Sequence, residues 1–174
     1  MEVILRKEIE PQLEIAESRY QEILDSIMAY TEYCDEEGDE DFVEYKKLEE
    51  KLHLQTGKEM SQFNLWEWWE EEGAEVLAFR IALPNPIKVN EITKEELSEI
   101  VRRAKTFDKD VDENSFKEQF KYHLHDYYYD FLKLNFKSYQ QDLFHRQKDK
   151  SGNYFEYSVD EIVEKLLDKK YFRK

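Results

Sequence analysis

PQLEIAESRYQEILDSIMAYTEYC, residues 11–34, is the stretch that decides the fold. Leu13, Ala16, Tyr20, Ile23, Ile27, Tyr30 and Cys34 recur at alternating spacings of three and four. That period lays one apolar seam along an α-helix. Pro11 suits a first helical position, where its missing N–H costs nothing. The polar run 35–41 breaks the seam, with Gly38 as a turn or C′ residue. A second helix over 40–54 carries Phe42, Tyr45, Leu48 and Leu52 on one face. So short a connection implies an antiparallel helical hairpin. Ala16 and two tyrosines make a mediocre coiled-coil core, so the seam is expected to pack within the chain. A monomer or a weak homodimer follows.

Beyond the hairpin the signals are mixed. Residues 55–62 read as a linker around Gly57, and Asn64 as the cap of a short helix over 65–72, stopped by Gly73. The apolar run 76–83 reads as a strand. Pro84-Asn85-Pro86 forces a turn, because neither proline donates a ladder bond. Residues 87–89 return as a second short strand. Thr93 with Glu96, and Ser158 with Glu161, form capping boxes that open helices to about Lys105 and Leu167. A polar connection covers 108–114. Ser115 caps a long helix to about Phe136, with Phe116, Phe120, Leu124, Tyr127, Phe131 and Leu134 as its buried stripe. A β-hairpin follows, with Asp142–Gln147 and Tyr154–Tyr157 as strands and a turn at 150–153. The expected class is helix-dominated α+β: an N-terminal antiparallel helical hairpin plus a small antiparallel β element packed with helices. The length fits one domain over 1–174, with 1–57 (helical hairpin) and 58–174 (α+β part) as its natural subdivision.

Charge narrows the function. The chain has 174 residues, 39% of them charged, and a net charge of -15. Residues 1–90 hold 23 acidic and 9 basic side chains, so almost all the excess lies there. Glu32 to Glu50 alone supply ten carboxylates against Lys46 and Lys47. Such a chain repels phosphate backbones and anionic lipid, and attracts a basic protein. Hydrophobic residues make up 40% and aromatics 15%, enough to fill a core, so this is no disordered acidic tail. Cys34 is the lone cysteine, no leader-like segment opens the chain, and no apolar stretch is long enough to span a bilayer. A reducing, cytoplasmic setting is expected.

Catalytic signatures are wanting. The glycines stand apart at 38, 57, 73 and 152, which excludes a dinucleotide fingerprint and a phosphate-cradling loop. His123-Leu124-His125-Asp126 resembles a metal-binding string. On a helix, however, residues two apart point about 200° apart, and these two cannot chelate one ion. His123 is expected at the edge of the core stripe and His125 in solvent. The acidic run 35–41 lacks the spacing of a calcium loop. No metal and no cofactor are expected. Of Trp66, Trp68 and Trp69, the pair Trp66 and Trp69 share a helical face and read as core, while a tryptophan bordered by carboxylates makes a binding anchor. In the tyrosine triplet 127–129, Tyr129 is expected to face outward.

These observations point to a non-enzymatic binding or inhibitory protein, immunity-like in style, that docks on a basic and itself nucleic-acid-binding protein. Its expected contact residues are Glu36, Glu37, Asp39, Glu40, Asp41, Glu44, Glu67, Trp68, Glu70 and Glu71. The competing readings are a hydrolase using His123 and His125 with carboxylates, and a helical assembly subunit.

Overall fold

The computed structural model of the chain describes residues 3–107 and 112–168. Its helices are α1 (Leu13–Glu36), α2 (Val43–Thr56), α3 (Ala74–Ala82), α4 (Lys94–Lys105), α5 (Phe116–Phe120), α6 (Leu124–Asn135) and α7 (Val159–Leu166). Strands β1 (Gln147–Lys148) and β2 (Tyr154–Phe155) pair antiparallel between α6 and α7. The fold is helix-dominated α+β. Close contacts gather into two compact units, one of residues 12–84 and one joining 3–11 to the described residues of 85–168. The units divide at 11/12 and 84/85 rather than at 57. Among the described residues, no helix is long and apolar enough to cross a membrane. Of the polar connection expected over 108–114, residues 108–111 lie outside the described residues.

In the unit 12–84, the seam of α1 is buried at Ala16, Ile23, Ile27 and Tyr30. Its main partner is α3, with α2 a lesser one, so the helical hairpin is only part of the packing. The expected strand over 76–83 is instead the helix α3. The physical reason is its sequence, AEVLAFRIA: three alanines give high helix propensity, and Ala74, Leu77, Ala78, Ile81 and Ala82 recur on one helical face. Six of the nine residues of α3 are buried, so its apolar face is wide and the short run reads as readily as a strand. Arg19 from α1 donates through Nε to the Ala82 carbonyl at 2.7 Å, satisfying an orphan acceptor at the C-terminal end of α3. Gly57, at φ 72°, ends α2 in the left-handed conformation that glycine adopts without strain.

In the second unit, residues 3–11 are tied to α4 and α6. Ile9 is fully buried, and its carbonyl accepts from the Tyr127 hydroxyl at 3.1 Å. Arg6 Nε lies 2.5 Å from Glu96 Oε1. Arg103, 11% exposed at its side chain, donates at 2.7 Å to both Glu10 and Glu99, and Glu99 also receives Arg102. Hydrogen bonds from Arg102, opposed by burial and reinforced by Arg103, hold the Glu99 carboxyl below its usual range.

Both capping boxes form as expected, at Thr93/Glu96 and Ser158/Glu161, and Ser115 caps α5. The long helix expected over 115–136 is interrupted. Phe120 leaves helical geometry at φ -113° and ψ 13°, and a 3-10 turn over Lys121–His123 leads into α6. Phe120, Leu124, Tyr127 and Phe131 remain buried, whereas Phe116 and Leu134 are half-buried. Residues 87–89 are not a strand. The buried Asn135 amide binds them instead, accepting from Val89 N at 3.0 Å and donating to the Ile87 carbonyl at 3.1 Å. One side chain therefore supplies the hydrogen bonds a neighbouring strand would have offered. The β-hairpin is present but short, because a 3-10 turn over Gln141–Phe144 occupies half of its expected first strand. Asp149 organises the tip by accepting from Ser151 N and Asn153 N.

Glu99→Ala should lower stability by about 2 kcal/mol, because it leaves a largely buried guanidinium with Glu10 as its one remaining carboxylate. Urea denaturation at pH 7 measures this, with the exposed Lys94–Glu164 pair as control. Glu164→Ala should leave the midpoint close to the parent's. The Glu99 contribution is present above the unfolded carboxyl value of 4.5 and lost as pH falls through the lower folded value. The gap between parent and Glu99→Ala should therefore close in acid.

Candidate functional site

The turn between α1 and α2 concentrates the unusual features of the unit 12–84. Asp35 and Glu36 lie in the last turn of α1, which contains no basic residue. Carboxylates at that end oppose the negative pole of the helix dipole. Glu37 caps the helix, Gly38 adopts φ 74°, and Glu40 and Asp41 are exposed.

Asp39 has a different role from its neighbours. Its Oδ1 accepts from Glu44 N at 3.1 Å, and its Oδ2 accepts from Tyr45 N at 2.9 Å and from the Tyr30 hydroxyl at 3.1 Å. Desolvation alone would raise its carboxyl, but these donors outweigh it and hold the group below its usual range. Burial pushes the Tyr30 phenol up, so it remains a donor. Asp39 therefore anchors the start of α2 to α1. Glu44 is likewise occupied, paired with Lys47 at 2.6 Å.

Phe42 is the outlier. It precedes α2 at φ 55° and ψ 29°, the sole non-glycine residue with positive φ among those described. The left-handed region costs a β-carbon-bearing residue roughly 1–2 kcal/mol. The expectation that Phe42 faces the core on α2 is overturned: its side chain is turned out, 44% exposed. Asp39 dictates this, because its two bonds to Glu44 and Tyr45 start α2 only after Phe42. Edge-on, Phe42 meets Trp66 at 5.9 Å between centroids and Tyr45 at 6.1 Å.

Trp66 is 43% exposed, and its loop is fixed from two sides. Asn64 Oδ1 accepts from Trp66 N and Glu67 N, and the Tyr45 hydroxyl bonds to the Leu65 backbone. The helix expected over 65–72 is only a 3-10 turn over Trp68–Glu70. That geometry reverses the tryptophan roles: Trp66 and Trp69 are exposed, whereas Trp68 is half-buried and donates through Nε1 to Thr31 Oγ1 at 3.1 Å. Glu67 is half-buried, Glu70 and Glu71 are exposed, and Glu72 binds Arg80 at 2.5 Å. Of the ten expected contact residues, Glu36, Glu37, Glu40, Asp41, Glu70 and Glu71 are exposed, while Asp39, Glu44 and Trp68 have structural tasks. Sequence reasoning missed Phe42 and Trp66 as exposed rings, and no local pattern marks a left-handed phenylalanine.

The histidines take other roles. His125 is half-buried rather than solvated, stacked on Phe107 at 4.2 Å. Its Nε2 is enclosed without a partner. The adjoining space, bordered by Glu118, Lys121 and Tyr128, is about 20 Å³, room for one water and not for a substrate. His53 and His145 are exposed. Among the described residues, no three potential metal ligands converge. Comparison with known protein families, characterised proteins and solved structures finds no match to this chain.

Asp39→Ala should lower the thermal midpoint, because two N–H groups and the Tyr30 hydroxyl lose their acceptor, whereas Asp41→Ala should not. Equal effects would remove the anchoring role. Burial lowers the affinity of His125 for its proton, against Asp126 and the Thr106 backbone, which favour it. The penalty is absent above the unfolded value of 6.5 and grows as pH falls through it. His125→Phe, which keeps a ring on Phe107, should therefore lose less stability than the parent between pH 7 and pH 5 in urea titrations.

Proposed function

We propose that the α1–α2 turn and the Trp66 loop form a docking surface for a basic protein, and that the chain is a non-enzymatic binding or inhibitory protein of a reducing, cytoplasmic interior. The observation that carries this reading is Phe42, an exposed ring held in a strained backbone conformation at an acidic turn. Strain persists where the surroundings over-determine it, and it clusters at functional surfaces. Core packing does not account for the placement, because the ring points outward. Its partner ring, Trp66, is exposed as well. Exposed aromatics within a charged rim are the usual anchors of an interface. Ring faces also accept cations, and Glu36, Glu37, Glu40 and Asp41 carry the charge that would steer a Lys/Arg surface. A basic protein that normally holds phosphates would be occluded by such a surface, which gives an inhibitory outcome without any catalytic group.

An arginine-rich peptide of defined sequence tests this by amide chemical-shift mapping on the labelled chain. Saturable shifts should concentrate in residues 33–45 and 64–70 and weaken steeply from 50 to 300 mM salt. Joint replacement of Glu36, Glu37, Glu40 and Asp41 by lysine should abolish them. Phe42→Gly should keep the fold, since glycine relieves the left-handed strain, yet lower affinity several-fold. Shifts scattered over every acidic stretch, or binding indifferent to Phe42→Gly, would sink the proposal.

A further inference from the structure

A second concave site lies in the unit that contains α6, the β-ribbon and α7. It is a cleft of about 360 Å³ lined by Lys137, Ser138, Gln140, Asp142, Leu143, Gln147, Tyr157 and Lys165. Five parts of the chain build it: the segment after α6, the 3-10 turn Gln141–Phe144, strand β1, the link from β2 to α7 and helix α7. They are held together by the Ser138 hydroxyl donating to the Leu166 carbonyl at 3.0 Å and Gln147 Nε2 donating to the Asp142 carbonyl at 2.5 Å. Lys105 also donates to the Tyr157 carbonyl.

The two lysines set the chemistry. Several cations of this unit are paired: Arg6 with Glu96, Arg103 with Glu99 and Glu10, Arg102 with Glu99, Lys94 with Glu164 and Lys121 with Glu118. Lys137 and Lys165 form no ion pair among the described residues, although the chain carries net charge -15. Lys165 instead lies 4.7 Å from the centroid of the Tyr157 ring. Two ammonium groups lining one cleft favour an anion, with Glu161 one turn before Lys165 as a competing carboxylate. Lysine binds phosphate as a point charge, whereas planar carboxylates favour the fork of arginine. The Asp142 carboxylate would repel a bare dianion placed beside it, but it accepts hydrogen bonds from hydroxyls. Gln140, Gln147 and Ser138 offer further polar groups of the same kind. The buried Leu143 and the Tyr157 ring, both lining the cleft, supply an apolar surface for C–H groups.

We infer that this cleft binds a small phosphorylated polyol, its phosphate on Lys137 and Lys165 and its hydroxyls on Asp142 and the two glutamine amides. The site is independent of the docking surface proposed above, with the opposite local charge and none of its residues. Amide chemical-shift titrations of the full chain with glucose 6-phosphate, glucose and inorganic phosphate at matched ionic strength test it. Saturable shifts in residues 137–147 and 157–165 should appear with glucose 6-phosphate, at least tenfold tighter than with either fragment. Joint Lys137→Gln and Lys165→Gln replacement should weaken binding at least tenfold, whereas joint Lys148→Gln and Lys150→Gln replacement, outside the cleft, should not. Absence of saturation in these residues would overturn the inference. Equal affinity for inorganic phosphate would overturn the polyol assignment, and equal loss in both variants would reduce the effect to surface charge.

Discussion

Arg103 closes the chain on itself. Its guanidinium binds Glu10 from the N-terminal segment and Glu99 from its own helix, and it reaches the Tyr128 hydroxyl at 3.3 Å. Through it, residues 3–11 join a unit whose remaining residues begin at 85, so that 12–84 is inserted between two parts of one core. Ile9 and Leu5 add the apolar side of that closure, and the Tyr127 hydroxyl bonds the Ile9 carbonyl. Neither side suffices alone. A segment this short orders too few contacts to offset its conformational entropy, and a largely buried arginine without its carboxylates would be costly.

The same economy of anchoring shapes the acidic turn. Asp39 spends its carboxylate on Glu44, Tyr45 and Tyr30, and in doing so places Phe42 outside the helix and outside the core. One acidic residue is thereby removed from the proposed docking face, and one phenylalanine is added to it. The aromatic pair Phe42–Trp66 exists because two side-chain anchors, Asp39 and Asn64, hold the backbone on either side of it. Electrostatics and packing both argue against such a surface on grounds of stability alone. Carboxylates crowd the negative end of α1, and an L-residue occupies left-handed space.

Much of the architecture was legible in the residues. The seam of α1, both capping boxes, the Ser115 cap and the existence of a C-terminal β-hairpin follow from local rules, each with partners no more than eight residues apart. What failed did so where a local signal was ambiguous. The run 76–83 is apolar but for Arg80 and only eight residues long, so its period did not distinguish α3 from a buried strand. Residues 87–89 pair with no strand, and hydrogen bonds from Val89 and to Ile87 go to the Asn135 amide, 46 residues away in sequence for Val89. The candidate docking site was half legible: its charge is written in composition, its aromatic anchors are not.

By itself the amino-acid sequence determined the helical class, the helix starts and the concentration of negative charge in the first half. These depend on side-chain periodicity, short-range hydrogen bonds and counting. Tertiary structure decided which carboxylates are occupied and which are exposed, which tryptophan is half-buried, and which lysines line one cleft. Those outcomes depend on partners far apart in the chain, such as Glu10 with Arg103 or Trp68 with Thr31, and no local pattern encodes the distance between them.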